Sequence, residues 1–521
     1  MHNKIILFVC SLFFTAITTA QSEFLNSAFG NNGSVCITTP EEFSPVVMGD
    51  LVKVGQNYYG ITGFGAYYLI KLSSTGVVDS SFGTNGYIQL NLGNPGGGLY
   101  DLSSTFIKHT ADNNLVIVNN SRGLAGHSFM VKTDLDGNVV TGFGTNGYID
   151  LVWPERLNFI TVDISGNEII LTGTNDSTTG DEPYRYVIAL KYDLNGNPVT
   201  AFGNSGSMVF YLNDVYSFPK AGYYDTATGM LTVNVDGYAD TDLQFGYSGL
   251  MQYDIANGTQ NTSFGINGIV YVQDPYETAT YSVITNLTVD SDGNVYAGGH
   301  ITDELSESHV FLKKYNPSGI ADASFGDAGT ALFDIEGANY EAVSTINKTA
   351  NHVTITGMFS PENAAYEKLF LLRTQNNGAL ATDFGNNGIV IDETPSGVVY
   401  TASYKTLEEN QNLITVATLS NACTNSQPKP SVVQFITGTL AAATASTNKT
   451  VLYPNPVKAN LYINSTTPIK NVEVYDISAK LLSVPVDINA QKVDFSTLKP
   501  GVYILKLHTV DGITTSKIIK D

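Results

Sequence analysis

The chain has 521 residues, 43 % of them hydrophobic and 14 % charged, with a formal net charge of -22. That length exceeds one ordinary core, and the apolar content excludes a disordered chain. Nine Lys/Arg and six Asp/Glu lie from Lys449 onward, a balance of +3; 17 Lys/Arg and 42 Asp/Glu precede them, a balance of -25 that repels nucleic-acid backbones and anionic lipid.

The first twenty residues read as a secretory signal peptide. His2, Asn3 and Lys4 form a polar start, Ile5 to Ile17 an apolar run, and Thr18-Thr19-Ala20 a small-residue cleavage site before Gln21. Cys10 sits inside the run, where bulky Phe8 and Val9 make a poor lipoprotein box. No later stretch reaches eighteen apolar residues, so no membrane span is expected.

From there one phrase, Phe-Gly-x-x-Gly, recurs in seven copies at a step near sixty residues. It stands at Phe29-Gly30, Phe82-Gly83, Phe143-Gly144, Phe202-Gly203, Phe264-Gly265, Phe325-Gly326 and Phe384-Gly385. The steps from Phe to Phe are 53, 61, 59, 62, 61 and 59 residues. Each phrase opens a unit of four short β-rich runs separated by turn residues. In the fifth unit these are Ile269–Val272, Tyr281–Val289, Val295–Gly299 and Val310–Tyr315, with turns at Asp290–Asn294 and Asn316–Gly319. A lone four-stranded sheet has two faces to bury; stacking seven and closing the stack buries both. The expectation is an all-β chain: a seven-bladed β-propeller over residues 21–440, its Phe side chains plugged between blades and its Gly in backbone conformations other residues avoid.

The stretches Val78-Asp79-Ser80-Ser81-Phe82-Gly83-Thr84-Asn85-Gly86 and Ala321-Asp322-Ala323-Ser324-Phe325-Gly326 resemble the delta-60 repeat of bacterial propellers. The resemblance spans roughly residues 24–440; it implies the fold and no activity.

No strand exchange between the first and last units is evident in the sequence, so another clasp is expected. Cys36 lies in the first strand of unit one, and Cys423 follows the third strand of unit seven. In a closed ring those units are neighbours, and a Cys36–Cys423 disulfide is predicted. The loop it closes corresponds to roughly 5 kcal/mol or a little more of chain entropy.

Residues 441–449, rich in Ala, Thr and Ser, read as a linker. Beyond it residues 450–521 carry short strands at Leu461–Ile463, Val472–Asp476, Val493–Phe495, Gly501–Leu507 and Thr514–Lys520, the spacing of a small immunoglobulin-like β-sandwich. Tyr453-Pro454-Asn455-Pro456, Val474-Tyr475-Asp476-Ile477-Ser478-Ala479-Lys480, Leu498-Lys499-Pro500-Gly501-Val502-Tyr503 and Lys517-Ile518-Ile519-Lys520 closely resemble the type A C-terminal sorting domain of the type IX secretion system of Bacteroidetes. Ala479 stands where that family usually has Gly. The resemblance implies the secretion machinery as a partner and an address outside the cell: Sec export, then release or attachment at the outer surface.

Chemistry is harder to find. Asp134–Asn138, Asp193–Asn197 and Asp290–Asn294 suggest calcium, yet the twelfth position of each holds Thr145, Asn204 or Ile301, not the Glu a calcium loop needs. Asp, Asn and Gly also suit a tight turn. No cofactor is expected, calcium being the one candidate. His300 and His309 flank a loop, without the spacing of a zinc motif. Glu304, Glu307 and Glu341 are candidate carboxylates for glycoside chemistry. Trp153 and the 30 tyrosines read as core or as sugar-stacking surface. No catalytic residue is assigned. The irregular stretches Asn91–Leu99, Asn175–Tyr184 and Asp303–Ser308 are the first places to look for function.

The reading is a non-enzymatic binding or adhesion protein with the propeller as platform for a glycan or protein. The alternatives are an enzyme on extracellular polysaccharide or peptide, and a structural surface protein.

Overall fold

The computed structural model describes residues 24–31, 33–38, 47–63, 67–90, 100–121, 128–151, 157–175, 186–211, 219, 221–238, 246–272, 281–302, 308–335, 337–361, 367–392, 400–409, 412–419, 429–436, 451–465, 468–476, 480–509 and 513–521. Two compact units divide the chain, Met1–Gly438 and Thr439–Asp521.

The first unit is a seven-bladed β-propeller. Blade 1 is the antiparallel meander Val47–Val54, Asn57–Gly63, Tyr67–Ser73, Tyr87–Leu90. The first strands of the other blades are Tyr100–His109, Leu157–Ser165, Gly222–Asp225, Tyr281–Val289, Ala338–Lys348 and Tyr400–Glu409. Each of these touches the first strand of the next blade, and the seventh touches the first, so they form the inner ring. Middle strands are buried on both faces because a blade stacks on either side. This is why Leu369-Phe370-Leu371-Leu372 and Tyr67-Tyr68-Leu69-Ile70 are continuous apolar runs with no alternation. Outer strands alternate: in Ile269–Val272, Val270 and Val272 are buried and Tyr271 faces out.

Seven hydrophobic clusters lie one between each pair of blades, and each holds one phrase Phe. Phe82 packs among Tyr59, Leu69 and Leu90 of blade 1 and Leu115, Ile117 and Val131 of blade 2. The following Gly has a φ between 50 and 65° in all seven copies. At Gly144 a Cβ would collide with the Tyr148 carbonyl oxygen. The Gly144 amide instead donates to Asn195 O of blade 3 at 2.9 Å, tying the turn to its neighbour. A cation eleven residues before the Phe lies over the same ring in several blades: Lys71 at 5.7 Å from Phe82, Lys191 at 4.8 Å from Phe202, Arg373 at 4.4 Å from Phe384.

The phase and closure differ from the sequence expectation. The phrase does not open a blade; it joins the third strand to the outer one. The strand after it completes the preceding blade, so Ser34–Cys36 is the outer strand of blade 7. It pairs with Lys429–Ile436 through Ser34↔Val433, Val35↔Val432 and Cys36↔Ser431. A strand is therefore exchanged between the two ends of the repeat region. The sequence hides this because the exchanged strand is three residues long and 395 residues from its partner. The closure copies the other blades: Asn26 N donates to Gln434 O at 2.9 Å, as Asp79 N does to Lys71 O at 2.9 Å. Cys36 is disulfide-bonded; Cys10 and Cys423 lie outside the described residues.

The second unit is a two-sheet sandwich. Val451–Tyr453, Asn460–Asn464, Lys492–Asp494 and Val486–Asp487 form one sheet; Leu481–Leu482, Ile469–Asp476, Gly501–Thr509 and Ile513–Lys520 form the other. Val457, Leu461, Val474, Val493, Phe495, Leu505 and Ile518 fill the space between. Asn455 fastens the last strand, donating to Lys517 O at 2.9 Å and accepting from Ile519 N at 2.8 Å. Pro454 and Pro456 follow cis peptide bonds. Tyr453 stacks on Tyr462 at 5.8 Å, and the Tyr503 hydroxyl donates to Lys499 O at 2.7 Å, just before Gly501 begins its strand. Lys517 is exposed and Lys520 buried.

Candidate functional site

Meander topology separates the connections onto two faces. First-to-second and third-to-outer turns lie at one end of every blade, and the seven phrases are there. Second-to-third and outer-to-next-blade connections lie at the other, hereafter the loop face. Asn91–Leu99, Asn175–Tyr184 and Asp303–Ser308 all connect strands at this face. Apart from Asn175 and Ser308 they lie outside the described residues, as do Trp153, Glu304 and Glu307.

Where blades 5 and 6 meet at the loop face, four polar side chains converge. His300 lies near the end of the second strand of blade 5, Ser308 begins its third, and Tyr340 and Glu341 lie near the start of the inner strand of blade 6. The Tyr340 hydroxyl lies 3.3 Å from His300 Nε2, and the two rings meet edge to face with centroids 5.2 Å apart. His300 is buried, while Tyr340 keeps 42 % of its surface exposed. Glu341 has no exposed surface. Its amide donates to Ser308 Oγ at 3.2 Å, and its Oε1 accepts from Ile335 N at 3.4 Å. Among the described residues Oε2 is buried without a hydrogen-bond partner. Burial pushes the Glu341 carboxyl above the usual range, against the Ser308 hydroxyl and the Ile335 amide, which favour its charged form. Asp334 adds to the rise and His309 opposes it. The sequence had marked His300, His309 and Glu341 separately; the junction brings them together. Tyr340 and Ser308 as partners were missed, because the contacts cross blades 33 to 40 residues apart and leave no local pattern.

The inner strands carry polar side chains that meet the next blade. Bulges in the inner strands at Met48/Asp50, Ile284/Asn286 and Ser403/Lys405 turn a polar residue toward the next blade. Asp50 Oδ2 accepts from Ile107 N at 3.0 Å, and Lys405 Nζ lies 3.6 Å from Asp50 Oδ1. Asn286 bridges to Ser344 O and Ile346 N, each at 3.2 Å. Crowding by protein holds the Lys108 ammonium below the usual lysine range, and Lys405 lowers it further against the pull of Asp163 and Asp50. Asp50, Lys405 and Asn286 bind blade to blade.

The three aspartate turns hold their own backbones. Asp134 Oδ1 accepts from Asp136 N at 2.9 Å and Asn138 N at 2.8 Å; Asp193 and Asp290 repeat this. Among the described residues no group of three His, Cys, Asp or Glu is arranged to hold a metal. A second concavity, about 930 Å³, runs along the rim of blades 4 to 6 on the phrase side, between Ile266, Tyr271, Lys313, Leu332 and Asn377.

Fold and tail together define an exported β-propeller protein. Residues 451–521 match the family model of the secretion system C-terminal sorting domain. The chain is thus a type IX secretion substrate, delivered to the cell surface or the medium. Among the described residues no helix is long and apolar enough to cross a membrane. A search of curated proteins finds no match. Similar solved structures include the β-propeller domain of the trilobed protease from Pyrococcus furiosus, at 9 % identity and TM-score 0.38 over 75 % of this chain and 93 % of that one. A protein of unknown function from Dyadobacter fermentans is similar at 10 % identity and TM-score 0.36, over 65 % and 96 %. The native arabinanase of Bacillus subtilis is similar at 13 % and 0.29, over 52 % and 92 %. These likenesses say nothing about function.

Proposed function

We propose that this chain is a non-enzymatic binding or adhesion protein, with the loop face of its propeller as the platform for a glycan or protein partner. The observation that carries the reading is the division of labour between faces. One face spends its turns on seven near-identical blade-to-blade clasps. The other carries two connections per blade, from three residues between Gly63 and Tyr67 to ten between Asn175 and Tyr186, on a rigid ring; that is where a scaffold places recognition. The repeat is of the delta-60 type. Residues 1–20 are a cleaved signal, 21–440 the propeller, 441–449 a linker and 450–521 the sorting domain. A Cys36–Cys423 bridge would join the outer strand of blade 7 to a loop-face connection of the same blade. The test is binding of the full chain to arrayed glycans and surface proteins, with product release assayed on every hit. Saturable binding without turnover supports the platform.

One observation favours the enzyme reading. Glu341, and Glu367 just before the third strand of blade 6, are both at the loop-face end of one sheet, and burial raises both carboxyls. Release of oligosaccharide that Glu341→Gln or Glu367→Gln abolishes would establish it.

A further inference from the structure

The geometry points to the outer face of one sheet of the sorting domain as the surface that the secretion machinery reads. This goes beyond the platform reading and is independent of it. Strands Ile469–Asp476, Gly501–Thr509 and Ile513–Lys520 send alternate side chains inward, where Val472, Val474, Tyr503, Leu505, Leu507 and Ile518 join the core. The others face out. Leu481, Tyr475, Ile504 and Lys517 lie in one cross-strand row, and Val502 pairs with Ile519 two residues along. Leu481, Val502 and Ile519 are 57, 37 and 39 % exposed. Five apolar side chains thus adjoin on a surface open to solvent, the mark of an interaction site.

The domain's own packing does not use them. Tyr503 and Ile518 lie in its core, Lys520 is buried and Asn455 fastens the last strand. Val502, Lys517 and Ile519 stand beside these residues in sequence, contribute nothing to the core and meet on one face. The residues of this unit match the family model of a secretion sorting domain, so the surface it leaves open has a reader. On this face Lys506 and Lys517 stand against Glu473, whose carboxylate accepts from the Tyr475 hydroxyl at 2.8 Å and lies 3.2 Å from His508 Nε2. The matching partner surface is apolar with acidic groups at its edge. A second copy fits poorly, because it would set lysine against lysine. Size agrees: three strands of eight or nine residues make a face of about 30 Å by about 14 Å, on the order of 400 Å². That is about half of the roughly 800 Å² per partner that a standing complex buries, and it suits an encounter that must end in release.

The test expresses the full chain in cells with a type IX system and measures the fraction outside the cell. Val502→Asp and Ile519→Asp each lower it about tenfold, and Lys517→Glu about threefold. Ile488→Asp, at a 39 % exposed position beside the other sheet, leaves it unchanged. Thermal melts of the purified variants confirm that they fold; if the two Asp variants do not, Lys517→Glu carries the comparison. A benzophenone amino acid in place of Ile519 identifies what covers the face, with an adduct to a component of the secretion machinery expected. Wild-type export of all three face variants overturns the assignment, as does an equal loss in Ile488→Asp. Adducts to the chain's own propeller, to a second copy, or none at all overturn it too. Every one of these outcomes leaves ligand binding by the propeller to its own test.

Discussion

Replacing Phe29 with Ala tests how the propeller is held shut. Phe29 has no exposed surface and meets Tyr58 edge to face at 6.5 Å. It packs with Leu51 and Ile70 of blade 1 on one side and Val35, Ile414, Val416 and Val432 of blade 7 on the other, so it sits at the joint where the ring closes. Truncating a buried Phe costs about 3–5 kcal/mol in lost transfer and cavity. Unfolding entropy near 2.1 cal per mole per kelvin per residue, over roughly 400 residues, gives a fall of about 4–6 °C in Tm. Phe143→Ala removes an equally buried ring from the joint of blades 2 and 3 and should cost as much. The two differ in where the loss shows. Hydrogen exchange should quicken at 34–37, 47–54 and 429–436 in Phe29→Ala and leave that joint protected in Phe143→Ala. A Phe29→Ala protein that melts within about 1 °C of wild type, with that joint still protected, would refute the account of closure.

Other expectations follow from the same geometry. Unreduced mature protein should show no free thiol, and Cys36→Ser should free Cys423 to alkylation; two free thiols would sink the Cys36–Cys423 pairing. Lys314 at 2.7 Å and the Ser324 hydroxyl at 2.6 Å hold the Asp322 carboxyl down at about 2, and Ser81 and Lys71 likewise lower Asp79. A depressed carboxyl stabilises the fold above its unfolded value and loses that as the pH falls. Urea melts should thus lose about 1 kcal/mol between about pH 4 and pH 2, and less in Asp322→Asn. Glu341 runs the other way: its raised carboxyl contributes fully below the unfolded value and loses that contribution as pH rises. Glu341→Gln should melt above wild type at pH 8 and level with it at pH 4; the reverse order would show the charge to be compensated.

The repeat was legible because each blade solves one packing problem with local means. A Phe for the gap, a Gly at positive φ for the turn and four short apolar runs leave a period that survives drift elsewhere. The sorting domain was legible for a similar reason: Asn455 and Tyr503 act within their own unit, and their spacing marks it. Tertiary structure alone decided the rest. Whether Ser34–Cys36 opens blade 1 or completes blade 7 depends on which neighbour its backbone pairs with, and both choices leave the same apolar pattern. The junction of His300, Ser308, Tyr340 and Glu341 depends on two blades standing side by side. No periodicity records contacts between blades, because the residues that make them are free to differ at every seam.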